Sequence, residues 1–292
     1  MQKRQRAFFG SGGNPQNFYD DGFRDTVDVF KWLKERNIDS YEYQAGNGLR
    51  VSTAVLKKIS EEARANDITL SVHAPYYISL ASDDEDIITK SVNYIIKTID
   101  GSKKMGADMI VVHCGGLNKK TRGQALEKAE NTLRSALEIL HKDGKTDIKI
   151  GLETMGKQNQ LGTLEEVIEL CKLDEGILVP VVDFGHLHAR EVGEKFKSCE
   201  DYYKIFEAIG ENLCDDTAKY LHCHFSKIEY TKMGEKKHLT FSDNVFGPKF
   251  EPLATVLAAN KLYPNIICES DGVMDVDALL MKEAYLRACD CV

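Results

Sequence analysis

The chain of 292 residues is 42% apolar, long enough for one large α/β domain with a substantial core. Its formal net charge of −8, with 46 acidic against 38 basic residues, excludes a protein held to nucleic acid by an overall basic surface. It leaves open a locally basic groove, or bound metals that reverse the charge of an acidic pocket.

The start, Met1-Gln2-Lys3-Arg4-Gln5-Arg6, is basic but is followed by only Ala7-Phe8-Phe9-Gly10, too short for a signal-peptide core. No run approaches the ~20 apolar residues of a membrane span. A soluble, cytoplasmic protein without a membrane partner is expected. A first strand at Phe8 leads into Ser11-Gly12-Gly13, a turn and not a phosphate cradle, because no Lys-Ser/Thr follows at P-loop spacing. Residues 23–36 have helical periodicity, with Val27, Phe30, Trp32 and Leu33 forming a core-facing stripe. A strand at 38–43 and a helix at 52–65 follow.

The same alternation continues to the end. Strands are expected at 69–73, 109–113, 148–153, 180–183, 220–224 and 265–269. Helical stretches fall at 80–104, 124–141, 164–173, 202–209, 217–219 and 253–260. Counting the first two, eight strands alternate with helical segments, which predicts a (β/α)8 TIM barrel forming a single domain over residues 1–292. An open doubly wound sheet is the alternative, with ligands at one switch point. No linker or internal repeat divides the chain.

Six of the apolar runs end in a residue able to hold a metal: His73, His113, Glu153, Asp183, His222 with His224, and Glu269. In a closed parallel barrel such ends converge on one face. Asp183 and His186, in Asp183-Phe184-Gly185-His186, offer a hard oxygen and a borderline nitrogen side by side. For one such strand end a satisfied core carboxylate is the simpler reading; the recurrence carries the metal hypothesis. The eight cysteines are read as reduced, because Cys114, Cys223 and Cys268 lie in or beside buried-type strands and the chain needs no staples. Cys289-Asp290-Cys291 lacks a second pair at zinc-finger spacing.

Val72-His73-Ala74-Pro75-Tyr76, Val112-His113-Cys114-Gly115-Gly116, Leu152-Glu153-Thr154, Asp183-Phe184-Gly185-His186, His222-Cys223-His224-Phe225-Ser226-Lys227, His238 and Cys268-Glu269-Ser270 fall in the order found in endonuclease IV. The chain resembles that family, zinc-dependent apurinic/apyrimidinic endonucleases on a barrel of the xylose-isomerase-like superfamily, from about His73 to Glu269. The resemblance implies Zn2+ as cofactor, with Mn2+ or Mg2+ as substitutes, and DNA with abasic sites as partner. It implies a first ion on His73 and His113, and Glu153 bridging to a second ion completed by Asp183, His222 and Glu269. His186 and His238 would hold a third. Glu153 and Glu269 would be the catalytic carboxylates. A bridging carboxylate suits ions ~3.5–4 Å apart that activate water and clamp a phosphate.

One position departs from the pattern. Where the family has an Asp two residues before the last histidine, this chain has Lys236, whose ammonium has no lone pair to donate. The third ion then lacks its carboxylate unless Glu235 or Asp243 substitutes.

Substrate contacts are expected from Tyr76, which matches a minor-groove tyrosine of the family, and from Arg50 and Lys227, each able to meet a phosphate. Tyr77 is a further stacking face. Each of these also has an ordinary reading, as a rim tyrosine or a surface cation. Strand alternation puts His222 and His224 on one face and Cys223 on the other, so His224 would orient a ligand or touch substrate. His188 reads as a loop or helix-start residue and His141 as solvated. The rival function is a sugar isomerase or epimerase of the same superfamily. It would use Glu153, Asp183, His222 and Glu269 around one metal, with His186 on a small sugar substrate. A non-catalytic barrel is the third class, although a barrel core needs no metal to fold.

Overall fold

The computed structural model describes residues 4–292, so the first three residues of the basic start lie outside the described residues. Among the described residues, eight parallel strands close into a barrel. They are β1 (Phe8–Gly12), β2 (Ser40–Gln44), β3 (Thr69–His73), β4 (Met109–His113), β5 (Lys149–Glu153), β6 (Leu178–Asp183), β7 (His222–Phe225) and β10 (Asn265–Cys268). Neighbours pair in chain order, and β10 closes the ring against β1, with Phe8 opposite Asn265 and Ser11 opposite Cys268. This is the expected (β/α)8 barrel.

Alternation along each strand sorts side chains between two environments. On β4, Ile110 and Val112 pack into the helix-facing core, and on β7 Cys223 does the same. The intervening residues, His113, His222 and His224 among them, are left for the barrel interior. Their depth is set by register: His222 pairs with Val181 and Asn265, and His224 with Asp183 and Ile267, one layer nearer the C-terminal ends.

The covering helices start at side-chain caps that satisfy otherwise unpaired N–H groups. Helix α3 (Thr53–Ala65) is capped by Ser52 and α4 (Glu85–Met105) by Asp84. Capping boxes start α5 (Arg122–Lys142), from Thr121 and Gln124, and α6 (Leu164–Cys171), from Thr163 and Glu166. Each buries one stripe: Val92, Ile95 and Ile99 of α4 and Leu133, Ala136, Leu137 and Leu140 of α5 belong to one core.

Several expectations shift. A short α1 (Gln16–Asp20) precedes the helix expected over 23–36, which is instead a 3-10 turn (Thr26–Asp28) and a short α2 (Val29–Glu35), because Asp25 accepts from the Val27 N–H and starts the tighter turn. The helix expected from residue 80 begins at Glu85, where Asp84 caps it. Helix α7 (Phe184–Arg190) occupies the loop expected after Asp183, which is itself the cap: its Oδ1 accepts from the His186 N–H at 2.7 Å. The gap before β7 holds α8 (Cys199–Asn212) and α9 (Asp215–Lys219).

An antiparallel hairpin, β8 (Lys227–Thr231) and β9 (Gly234–Leu239), was not expected, since its strands are polar and lack an apolar run. Helices α10 (Glu251–Ala259) and α11 (Met274–Cys289) complete the chain. All eight cysteines are free thiols, as expected, and among the described residues no helix is long and apolar enough to cross a membrane.

Candidate metal centre

His73, His113, Glu153 and Asp183 are each the last residue of their strands, and Glu269 follows β10 directly. Barrel closure therefore brings them to one place, around the carboxylate of Glu153. Its Oε2 lies 2.9 Å from His113 Nε2 and 3.3 Å from His73 Nε2. Its Oε1 lies 3.1 Å from His224 Nδ1 and 3.3 Å from His186 Nδ1. One buried carboxylate thus faces donors on both sides.

Among the described residues, four groups of donors have ligand atoms mutually within 4.8 Å: His73, His113 and Glu153; Glu153, Asp183, His224 and Glu269; His186, Glu235 and His238; and, one layer deeper, Glu42, His222 and His224. Glu153 belongs to the first two. Together they contain the chemistry for divalent cations, borderline nitrogens with hard oxygens.

The orientation of the rings favours that use. His73 Nδ1 lies 2.8 Å from the Ala74 carbonyl and His186 Nδ1 2.9 Å from the Thr154 carbonyl. As donors there, they leave both Nε2 lone pairs toward the cluster, the arrangement in which a second hydrogen bond fixes a ligand's tautomer. His238 Nδ1 lies 2.8 Å from Ser226 Oγ. Asp183 Oδ2 is buried without a hydrogen-bond partner, although Oδ1 is used in the helix cap. A cation would satisfy it, so the residues fit a metal.

Electrostatics agree. Burial alone would raise the Glu153 carboxyl, but His113 and His224 hold it well below the usual carboxylate range. Burial likewise works against charge on His73, but the hydrogen bond and charge of Glu153, with Glu42 and Glu269, raise it to about 9. His186 and His224 are raised well above 6.5, against burial, by Asp183 and Glu153 for the first and by Glu269 and Glu42 for the second. Without metal the carboxylates are balanced by imidazolium protons, which a cation would have to displace.

The cluster floors a cavity of about 650 Å³. Tyr76, Asn47 and Gly46 line one side, Lys157 and Gln160 another. An adjoining cavity of about 550 Å³ shares Gln44, Glu235, His238 and Glu269 and runs past Lys236, Lys237 and Ser270, so the two form one groove across the C-terminal face.

The structure places three expected residues differently and resolves one open alternative. His222 does not join Asp183 and Glu269; His224 does. Both face inward, but His222 is one layer deeper, 3.0 Å from Glu42 Oε2, and lines a separate cavity of about 300 Å³ with Arg4, Asp108 and Asn265. Lys227 is not among the residues lining the groove, since its ammonium donates to the carbonyls of Phe241 and Asp243. Arg50 is exposed and donates to the Asn47 carbonyl instead of lining the groove. Of the two substitutes for the missing Asp, Glu235 stands 3.5 Å from His186 Nε2, whereas Asp243 accepts from the Val245 and Phe246 N–H groups.

Tyr76 lines the mouth and is 59% exposed, while Tyr77 meets Tyr94 edge to face. His188 is buried in α7 beside Phe196, and His141 pairs with Asp174 while largely exposed. The sequence reading missed Glu42 altogether. Its signal was a carboxylate in the middle of a strand between two tyrosines, where a charge needs a partner.

Residues 30–283 match the model for xylose isomerase-like TIM barrels. An uncharacterized protein of Methanocaldococcus jannaschii is 29% identical over 285 residues, 98% of this chain and 99% of that one. A protein of Sulfurihydrogenibium sp. named as a probable endonuclease 4 is 29% identical, over 58% of this chain and 61% of that one, less than two thirds of either. The crystal structure of a D-tagatose 3-epimerase-like protein superposes with a TM-score of 0.70 at 22% identity, covering 97% of this chain and 98% of that one. That likeness is one of fold.

Proposed function

We propose that this chain, which belongs to the xylose isomerase-like TIM barrel family, is a zinc-dependent phosphodiester hydrolase that cleaves DNA at abasic sites. The observation that carries the reading is the two-sided Glu153 carboxylate, with His73 and His113 at one oxygen and His224 at the other. A single ion has no use for so many donors. The partial likeness to the probable endonuclease 4 supports the same reading.

Bound zinc ions would supply positive charge to the scissile phosphate and lower the pKa of water. His73, His113 and Glu153 would hold one, Glu153, Asp183, His224 and Glu269 a second, and His186, Glu235 and His238 a third. Glu153, which belongs to both of the first two groups, would be their shared ligand. Glu269, 17% exposed in its side chain and on the wall of both cavities, would orient the attacking water. Lys157, Lys236 and Lys237 line the groove, the last two paired with Glu229, and would put ammonium groups within reach of phosphate oxygens. Tyr76 presents an exposed ring at the mouth for stacking beside the lesion.

The test is cleavage of a duplex with one abasic site by the zinc-loaded protein, beside an undamaged duplex. Nicking of the abasic duplex alone is expected, and intact abasic DNA at two or more zinc ions per chain would sink the proposal. A second reading has its own support. Glu153, Asp183, His224 and Glu269 alone make a one-metal site with two glutamates, enough to move protons on a hydroxy-ketone. Epimerisation of a ketose by protein holding one ion per chain would establish that function instead.

A further inference from the structure

Glu42 lies in the middle of β2, fully buried inside the barrel beneath the cluster. Ser71 Oγ donates to its Oε2 at 2.7 Å, and His222 Nε2 lies 3.0 Å from the same oxygen. His224 Nε2 lies 3.0 Å from the other oxygen, Oε1. The two atoms are in ion-pair contact but not hydrogen-bond alignment, and both are buried without a hydrogen-bond partner, whereas His224 Nδ1 is hydrogen-bonded to Glu153 Oε1 at 3.1 Å. On the far side of His222, the Asn265 amide nitrogen lies 3.3 Å from Nδ1.

These contacts order the protons. With the Asn265 amide donating to His222 Nδ1, His222 carries its proton on Nε2 and gives it to Glu42. The remaining Glu42 oxygen can only accept, so when a cation displaces the Nδ1 proton that faces Glu153, His224 would keep its proton on Nε2 and offer Nδ1 to the ion. In the opposite tautomer Nδ1–H would point into the cluster and exclude a cation there.

We propose that Glu42 is a positioning residue that holds His224 in its ligand tautomer, and that His222 is the strut that holds Glu42. This rests on the metal-centre reading above. Glu42 touches neither substrate nor the other two donor groups; it acts through His224 alone.

The experiment is zinc titration of the full chain against a competing chelator, with two-dimensional 15N spectra of the histidine rings in the zinc-loaded protein. In the wild type, His224 should show a proton on Nε2 and a metal-shifted Nδ1. Glu42→Leu should weaken zinc binding about 10–100-fold, the range for outer-shell partners, and lose that Nε2 proton signal. Glu42→Gln keeps the shape of the side chain and one acceptor oxygen, so it should lose about tenfold or less and stand in if the leucine variant does not fold. Wild-type protein that binds zinc while both variants match its affinity and ring signals overturns this inference alone. Wild-type protein that binds no zinc overturns it together with the metal centre. Loss of one zinc equivalent in His222→Phe also overturns it, because Glu42, His222 and His224 would then themselves be a metal site.

Discussion

His186 Nε2 lies 3.5 Å from Glu235 Oε2, although one residue is on the helix that follows β6 and the other on the polar hairpin. A carboxylate therefore stands beside His186 and His238 one residue before Lys236, whose ammonium pairs with Glu229 at 2.5 Å. Glu235→Ala should lose one metal equivalent per chain, and Lys236→Ala should lose none. Metal analysis after dialysis distinguishes them, and equal stoichiometry in both variants would remove Glu235 from the site.

Glu153→Gln removes the one carboxylate shared by two donor groups. Losing an outer-shell partner already costs about 10–100-fold in affinity or activity, so loss of this shared ligand should lower cleavage of abasic DNA by more than about 100-fold. Far-ultraviolet circular dichroism should stay unchanged, since the barrel is closed by backbone pairing that the substitution leaves alone. Retained cleavage would contradict the bridge.

Stability of the metal-free protein should fall as pH rises from 6.5 to about 9. The folded His73 titrates at about 9, above its ordinary 6.5, because Glu153 outweighs the effect of burial. Folding then binds a proton more tightly than the unfolded chain does, so that stabilisation is complete below 6.5 and is lost as pH passes through about 9. Glu153, held low, has the opposite sign: its contribution is present above its ordinary 4.5 and is lost as pH falls below it. Thermal melts in chelator across pH 4 to 10 should show both flanks, whereas zinc-loaded protein should lose its metal on acidification.

Gly234→Ala should destabilise by about 1–3 kcal/mol, the range for residues held in sparsely populated backbone conformations. Gly234 has a φ of +92°, and an added Cβ would stand 2.2 Å from the Gly156 carbonyl oxygen. Because Gly234 opens β9 immediately before Glu235, its displacement should also lower occupancy of the third donor group. Chemical denaturation and metal analysis read the two effects. Gly123→Ala, where nothing lies within 4 Å of the new atom, is the control.

Tyr76→Ala should raise KM for an abasic duplex while changing stability by less than about 0.5 kcal/mol, as expected of a surface position. Its ring is exposed, and its hydroxyl reaches Asn47 at 3.4 Å. An unchanged KM would mean that the ring packs at the rim and meets no substrate.

The sequence by itself determined the barrel and the crowding of ligand-type residues on one face. Apolar runs such as Met109–His113 repeat between amphipathic helices, and each ends in a polar donor, so any closed parallel arrangement gathers those ends. It also determined that His222 and His224 face the same way, because strand periodicity is two. Only the tertiary structure decided which of them meets Glu153. That depends on β7 pairing His224 with Asp183 and His222 with Val181, a register between strands far apart in the chain. Glu42 was hidden, and Glu235 could not be told from Asp243, for the same reason. Their partners are His222 and His224 in one case and His186 in the other, and a carboxylate in a polar hairpin or between two tyrosines carries no local mark of an imidazole that closure of the barrel brings 3.0–3.5 Å away.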